Sequence, residues 1–284
     1  MNTNLLILAA GASSRMKESQ NIEDLSSSDI IAANTSSKAL ISYGKEQRPI
    51  LDFLLKNAEK AGYKNVFLIT GKERETFVTF YGMKTKNNPF KGLLITYATQ
   101  NIPKGREKPF GTADAVTQTL VQYPHLQNEA FTVCNSDNLY SVEALKALAV
   151  IKSPNALIAY DRDGLQFSAE RISNFALVLL DEDNNLIDIL EKPAVTNIEK
   201  YNDANRKFRV SMNIFKFDGT AMFQYLNNCP VHPKRNEKEL PTAVLNFCAD
   251  HPGQFQGIPF YGHVPDLTSK KDIKVFKDYL KKYY

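Results

Sequence analysis

Cysteine is scarce. The chain has three, Cys134, Cys229 and Cys248, an odd number with no C-x-x-C pair, which argues against both a disulfide framework and a zinc ribbon. Long apolar runs are absent as well. None exceeds the six residues of 5–10 or 175–180, whereas about 20 are needed to cross a bilayer. The stretch after Met1 has no basic leader and its apolar part is too short for a secretion signal, so a soluble, cytoplasmic protein is expected. Excess charge of one sign is missing too: 35 Lys and Arg against 31 Asp and Glu leave +4, dispersed rather than gathered into a basic stripe. Neither a nucleic-acid partner nor a membrane is expected. The four histidines, His125, His232, His251 and His263, follow no metal-ligand spacing and read as structural or surface residues. Beyond residue 50 no stretch is rich enough in Pro, Gly or Ser to separate domains.

What remains is a globular composition over 284 residues, 43% apolar and 23% charged. Short β-branched or aliphatic runs at 4–10, 65–70, 93–98, 130–134, 155–160, 175–180, 186–190 and 208–217 read as strands. Between them lie helical spacings such as Leu51, Leu54, Leu55, Ala58 and Ala61, or Ala115, Val116, Thr119 and Leu120. Alternation of the two through the first 150 residues predicts an α/β fold, a mostly parallel mixed sheet covered on both faces. After residue 160 the turn cluster 181–185 and the strand at 208–217 predict a smaller mixed subregion. Helices are expected again at 239–249 and 270–283, the latter capped by Thr268 or Ser269. Residues 17–37, rich in Ser, Asn and Asp, interrupt what should be a short loop, and read either as a flap or as an inert insertion.

The most informative stretch is Leu5 to Lys17. A buried strand runs into small residues, Ala9-Ala10-Gly11-Ala12-Ser13-Ser14, and then Arg15. Such a turn lets backbone N–H groups approach a phosphate while the guanidinium neutralises it. By composition alone it is also an ordinary strand-to-helix turn. The P-loop and the three-glycine dinucleotide fingerprint are both excluded by spelling. Asp137 follows the apolar run 131–134, at the carboxyl end of a strand where open sheets bind ligands; Asp137-Asn138 would otherwise cap a helix beginning near Ser141. The basic stretch 101–110, with Lys104, Arg106 and Lys108, reads as a solvated loop or as a phosphate-facing one. Asn213 interrupts an apolar strand, where an unpaired amide would be costly, so a backbone partner or a ligand hydroxyl is expected.

In chain order, Leu8-Ala9-Ala10-Gly11, Ser14-Arg15-Met16, Lys38-Ala39-Leu40, Gln100 with Pro103, Gly111-Thr112-Ala113, Ser136-Asp137-Asn138, Glu191-Lys192-Pro193, Met212-Asn213-Ile214-Phe215 and Asp266 resemble the motifs of the sugar-1-phosphate nucleotidylyltransferases, L-A-A-G-x-G-[ST]-R-[LM] followed by P-K-x-[LM]. The series spans nearly the whole chain. It departs from that pattern at Ser13, where the family has glycine, at Ser37, where it has proline, and around Pro265-Asp266-Leu267-Thr268, which leaves Asp272 a rival to Asp266.

The resemblance implies a Rossmann-like three-layer fold in one domain spanning 1–284, with nucleotide bound by residues up to about 140 and the acceptor by the rest. It implies attack of a sugar-phosphate oxygen on the α-phosphorus of a nucleoside triphosphate, with release of pyrophosphate. Arg15, Lys38 and Lys192 would be the catalytic cations; Ala9, Ala10, Gly11, Ser13, Ser14, Gln100, Gly111 and Thr112 would bind the nucleotide. Glu191, Lys192 and Asn213 would hold the acceptor, and Asp137 with Asp266 would hold Mg²⁺. The base, the acceptor and self-association stay open. The chain ends too soon after Asp266 for an appended hexapeptide-repeat helix, so acetyl transfer is not expected. A regulatory protein that binds sugar nucleotides on the same fold, or a metal-dependent glycosyltransferase, is the alternative; the latter would be expected to carry D-x-D where this chain has Ser136-Asp137-Asn138.

Overall fold

The computed structural model describes residues 1–20, 25–84, 86–191 and 201–284. Among them the strands are β1 (Asn4–Leu8), β2 (Ser42–Tyr43), β3 (Arg48–Pro49), β4 (Asn65–Thr70), β5 (Leu94–Thr99), β6 (Ala130–Asn135), β7 (Asn155–Asp161), β8 (Leu177–Leu180), β9 (Leu186–Leu190), β10 (Arg209–Asp218) and β11 (Phe255–Phe260). β2 and β3 form a small hairpin. The other nine make one mixed sheet in the order β11-β7-β10-β6-β1-β4-β5, with β8 added to β10 and β9 to β8. β6, β1, β4 and β5 run parallel, whereas β10 is antiparallel to both β6 and β7.

The alternation of side chains along the central strands builds two cores. Leu5 and Ile7 of β1, with Val66 and Leu68 of β4, point into one, against the helices Leu51–Ala61, Val142–Val150 and Lys270–Tyr283. Leu6, Phe67 and Ile69 point into the other, against the helices Thr112–Gln122, Gly219–Asn227 and Leu240–Asp250. Strands buried on both faces read as continuous apolar runs rather than alternating ones, which is why they are so legible in the sequence. This is the expected Rossmann-like α/β architecture.

Three details differ from the reading of the sequence. β1 ends at Leu8, not at residue 10, because Ala9 and Ala10 already belong to the loop. β11 was not expected: Gly257 and Pro259 disguise it, and it is tolerated because β11 is an edge strand, paired only with β7 along the main sheet. The insertion is not a structureless loop. Its described part contains the helix Ser27–Thr35, capped by Ser26, whose hydroxyl accepts from the Asp29 N–H at 3.2 Å. That helix buries Ala33 and ties Asp29 to Lys277 of the C-terminal helix at 2.6 Å. Among the described residues no helix is long and apolar enough to cross a membrane.

Candidate active site

Because β1, β4, β5 and β6 are parallel, their carboxyl ends emerge at one edge of the sheet. There the loop 9–15 leaves β1, Gln100 follows β5, and Ser136-Asp137 follows β6. A cavity of about 460 Å³ at that edge is lined by Ala9, Ala10, Gly11, Ser13, Ser14, Arg15, Lys38, Gln100, Gly111, Thr112 and Asp137, with Asn135, Lys108 and Glu237 among the other lining residues. Every nucleotide-side residue expected from the sequence is therefore in one place.

Ser13 stands where the family has glycine, and its φ of 56° is left-handed. A serine there is disfavoured by about 1–2 kcal/mol, so the loop keeps a glycine-like shape without glycine. At Gly111, φ is 103° and a Cβ would lie 2.3 Å from the Lys238 carbonyl oxygen; no side chain fits. Gln100, nearly buried, donates its amide NH₂ to the Gly111 carbonyl at 3.0 Å and to Asp114 Oδ2 at 2.9 Å. Both partners only accept, so the amide is oriented with its oxygen turned away from them. Thr112 Oγ1 accepts from the Leu240 N–H at 3.0 Å, fastening the start of this helix to the segment 237–240. Arg106 stacks on Phe110 at 4.1 Å and donates to the Asn236 carbonyl at 2.6 Å. The basic loop is thus folded against that segment rather than free.

A second cavity, of about 520 Å³, adjoins the first and shares Arg15, Thr112, Asn135, Asp137 and Glu237 with it. Its own lining includes Asn174, Glu191, Ser211, Asn213, Arg235, Glu239 and Asp266. Arg235 bridges Glu191 at 2.8 Å and Glu239 at 2.5 Å. Asn213 is not buried in a strand as its neighbours implied: it is exposed, at the crest of a bulge. Lys192, expected beside Glu191, lies outside the described residues.

The carboxylates meet between the two cavities. Segments 137–139 and 265–267 run side by side: Leu139 N–H donates to the Pro265 carbonyl and Leu267 N–H to the Asp137 carbonyl, each at 2.9 Å, with Asn138 bridged to Asp266. Lys38, buried on a short 3₁₀ turn, places Nζ 2.8 Å from Asp137 Oδ2. Asp266 Oδ2 accepts from Arg171 Nη2 at 2.6 Å and from Thr268 Oγ1 at 2.7 Å. Burial first, and the Asp137 carboxylate second, raise the Asp266 pKa above the usual carboxylate value, against the pull of Thr268 and Arg171. Asp272, the rival, lines neither of these cavities. It caps the C-terminal helix, accepting from Thr268 N–H at 3.0 Å and Ser269 N–H at 2.7 Å, and pairs with Arg171. The helix after residue 141 is capped by Ser141 itself, whose hydroxyl accepts from Ala144 N–H at 3.2 Å, so Asp137 has no capping duty there.

Two neighbouring carboxylates suit an octahedral cation that prefers oxygen ligands. Mg²⁺ takes one or two protein carboxylates and completes its shell with water and phosphate oxygens, and the repulsion felt by Asp266 is what a divalent cation would relieve. Among the described residues no group of three or more His, Cys, Asp or Glu side chains could hold a metal unaided.

A family model, Nucleotidyl transferase, matches residues 30–256. The chain belongs to this family. The resemblance to sugar-1-phosphate nucleotidylyltransferases is borne out at that level, and the protein is a nucleotidyltransferase. Similar folds are found in a UDP-glucose pyrophosphorylase solved in complex with UDP-glucose, at TM-score 0.71 and 17% identity over 99% of this chain and 100% of that one. A second is a protein from Bacillus anthracis described as a glucose-1-phosphate thymidylyltransferase, in complex with sucrose, at TM-score 0.70 and 16% identity over 100% and 97%.

The sequence did not single out Asp114, Tyr140, Arg171, Arg235 or Glu237, and it marked Thr268 only as a helix cap and as part of the Asp266 motif. Asp114 carries a faint signal, three residues after Gly111 in the first turn of a helix. Arg171 carries none, because its partners are about a hundred residues away.

Proposed function

We propose that this nucleotidyltransferase moves a nucleotidyl group from a nucleoside triphosphate to a sugar 1-phosphate or a similar phosphorylated alcohol, releasing pyrophosphate, with Mg²⁺ held by Asp137 and Asp266. The observation that carries this reading is the pair of adjoining cavities with Arg15 and Asp137 in their common wall. Two polyanions must be brought together there against their repulsion, and cationic screening with orientation does most of the work in such reactions.

On this reading the loop 9–15 receives the triphosphate, and Arg15 neutralises the departing pyrophosphate. Lys38 exchanges its partner Asp137 for a phosphate oxygen. The Gln100 carbonyl oxygen accepts from a base edge that donates an N–H. In the second cavity Asn213 and Glu191 hold acceptor hydroxyls, and Lys192 holds the acceptor phosphate. An acceptor phosphate oxygen attacks the α-phosphorus, and the bond from that phosphorus to the pyrophosphate oxygen breaks. When bound, the metal ion would supply charge neutralisation at the phosphate oxygens. The structural neighbours named for UDP-glucose and glucose 1-phosphate make UTP, dTTP and glucose 1-phosphate the first substrates to try.

The test is a matrix of nucleoside triphosphates against phosphorylated sugars and alditols, scored by pyrophosphate release. Turnover in at least one pairing is expected. Asp137→Ala should abolish it with the circular dichroism unchanged; undiminished turnover would remove the metal assignment. Nucleotide binding without pyrophosphate release in any pairing would favour a regulatory role instead.

A further inference from the structure

β10 loses register with β7 between Ser211 and Phe215, and its pairing with β6 begins only at Ile214. Met212 and Asn213 therefore have no strand partner on either side. Asn213 sits at the crest with φ 54°, a left-handed conformation that asparagine tolerates better than most residues. There it is exposed and lines the second cavity. Such a bulge re-aims a side chain but orphans backbone groups. Met212 is only 3% exposed, so its carbonyl needs a donor from the protein.

That donor is Tyr140. Its hydroxyl donates to the Met212 carbonyl at 2.7 Å, with the Asn213 carbonyl farther off at 3.3 Å as a second acceptor. The ring is fully buried, and the residue lies on the segment that carries Asp137 and Asn138. A phenol in this place has one proton to give, and both of its carbonyl acceptors belong to the bulge.

We propose that Tyr140 is a positioning residue for the acceptor: its hydroxyl holds the 212–213 bulge in the shape that presents Asn213, from the same segment that supplies Asp137. The proposal rests on the reading of Asn213 as an acceptor contact.

The experiment measures the two KM values separately, with UTP and glucose 1-phosphate or with the best pair of the substrate matrix, for Tyr140→Phe, Asn213→Gly and the double variant. Glycine accepts the left-handed backbone and removes the whole side chain, its amide included. Each single variant should raise the acceptor KM about tenfold, the equivalent of one net hydrogen bond, and leave the nucleotide KM within about twofold. The double variant should show no further rise beyond Asn213→Gly, because Tyr140 acts through Asn213. Amide hydrogen exchange should quicken at residues 212–214 in Tyr140→Phe and stay unchanged at residues 130–134 of β6, Asn135 being left out because its N–H also donates to the Tyr140 hydroxyl at 3.4 Å.

An unchanged acceptor KM in Tyr140→Phe, an equal rise in both KM values, or multiplying effects in the double variant would overturn the tether while leaving the acceptor reading of Asn213 intact. An unchanged acceptor KM in Asn213→Gly would overturn that reading, and the proposal with it.

Discussion

Lys38 and Asp137 form the ion pair on which the proposed chemistry turns, and Lys38 is nearly buried beside a partly buried carboxylate. Lys38→Met should keep the aliphatic stem packed and lower kcat by about 100-fold, the usual scale for removing one group that stabilises developing charge. Pyrophosphate release at saturating substrate measures it. At Gly111 steric exclusion dominates: the added methyl of Gly111→Ala would meet the Lys238 carbonyl oxygen at 2.3 Å, and φ is 103° besides. A loss of about 1–3 kcal/mol is expected from the forced backbone shift, read as a lower urea midpoint, together with weaker nucleotide binding.

The element that most departs from a minimal fold is the insertion, and its fastening is to the C-terminal helix. Lys270, only 3% exposed, donates from Nζ to the Ser19 carbonyl at 2.5 Å and to the Lys17 carbonyl at 3.4 Å. Its own N–H donates to Ser19 Oγ at 3.2 Å. Lys270→Met should cost about 1.5–3 kcal/mol, the range for hydrogen bonds to a charged donor, with unfolding in urea as the measurement. The same change should expose the 25–37 stretch to limited proteolysis before the sheet unfolds, since a helix as short as Ser27–Thr35 depends on tertiary contacts for its stability.

Across the whole molecule, the segment 166–171 and the C-terminal helix meet at His263. Its Nδ1 accepts from the Gln166 N–H at 3.1 Å, and its ring packs edge-on against Phe167 and Tyr279. Burial first, and the Arg171 guanidinium second, lower its pKa to about 4. The unfolded chain takes up this proton near pH 6.5, while the folded protein refuses it until about pH 4. The stabilisation is therefore complete above pH 6.5 and is lost progressively as the pH falls toward 4. His263→Asn, which keeps an acceptor near the Nδ1 position, should flatten the dependence of unfolding free energy on pH in that window. A slope identical to that of the parent protein would show that the acid sensitivity arises elsewhere.

The amino-acid order by itself determined the sheet's central strands, the α/β class and the set of residues gathered at the carboxyl edge. Leu5 to Leu8 or Phe131 to Cys134 can only be strands buried on both faces, and parallel strands must deliver Arg15, Gln100 and Asp137 to the same side. Only the tertiary structure showed that Asp266 lies beside Asp137 while Asp272 caps a helix, because this depends on the backbone ladder between 137–139 and 265–267 and on Arg171, contacts spanning about a hundred residues. It also decided that the insertion carries a helix docked on the chain's last one, and that Asn213 stands exposed on a bulge held by Tyr140. Local patterning reports which face a residue prefers. It cannot report which distant donor satisfies an orphaned carbonyl or which carboxylate is already committed to a helix cap.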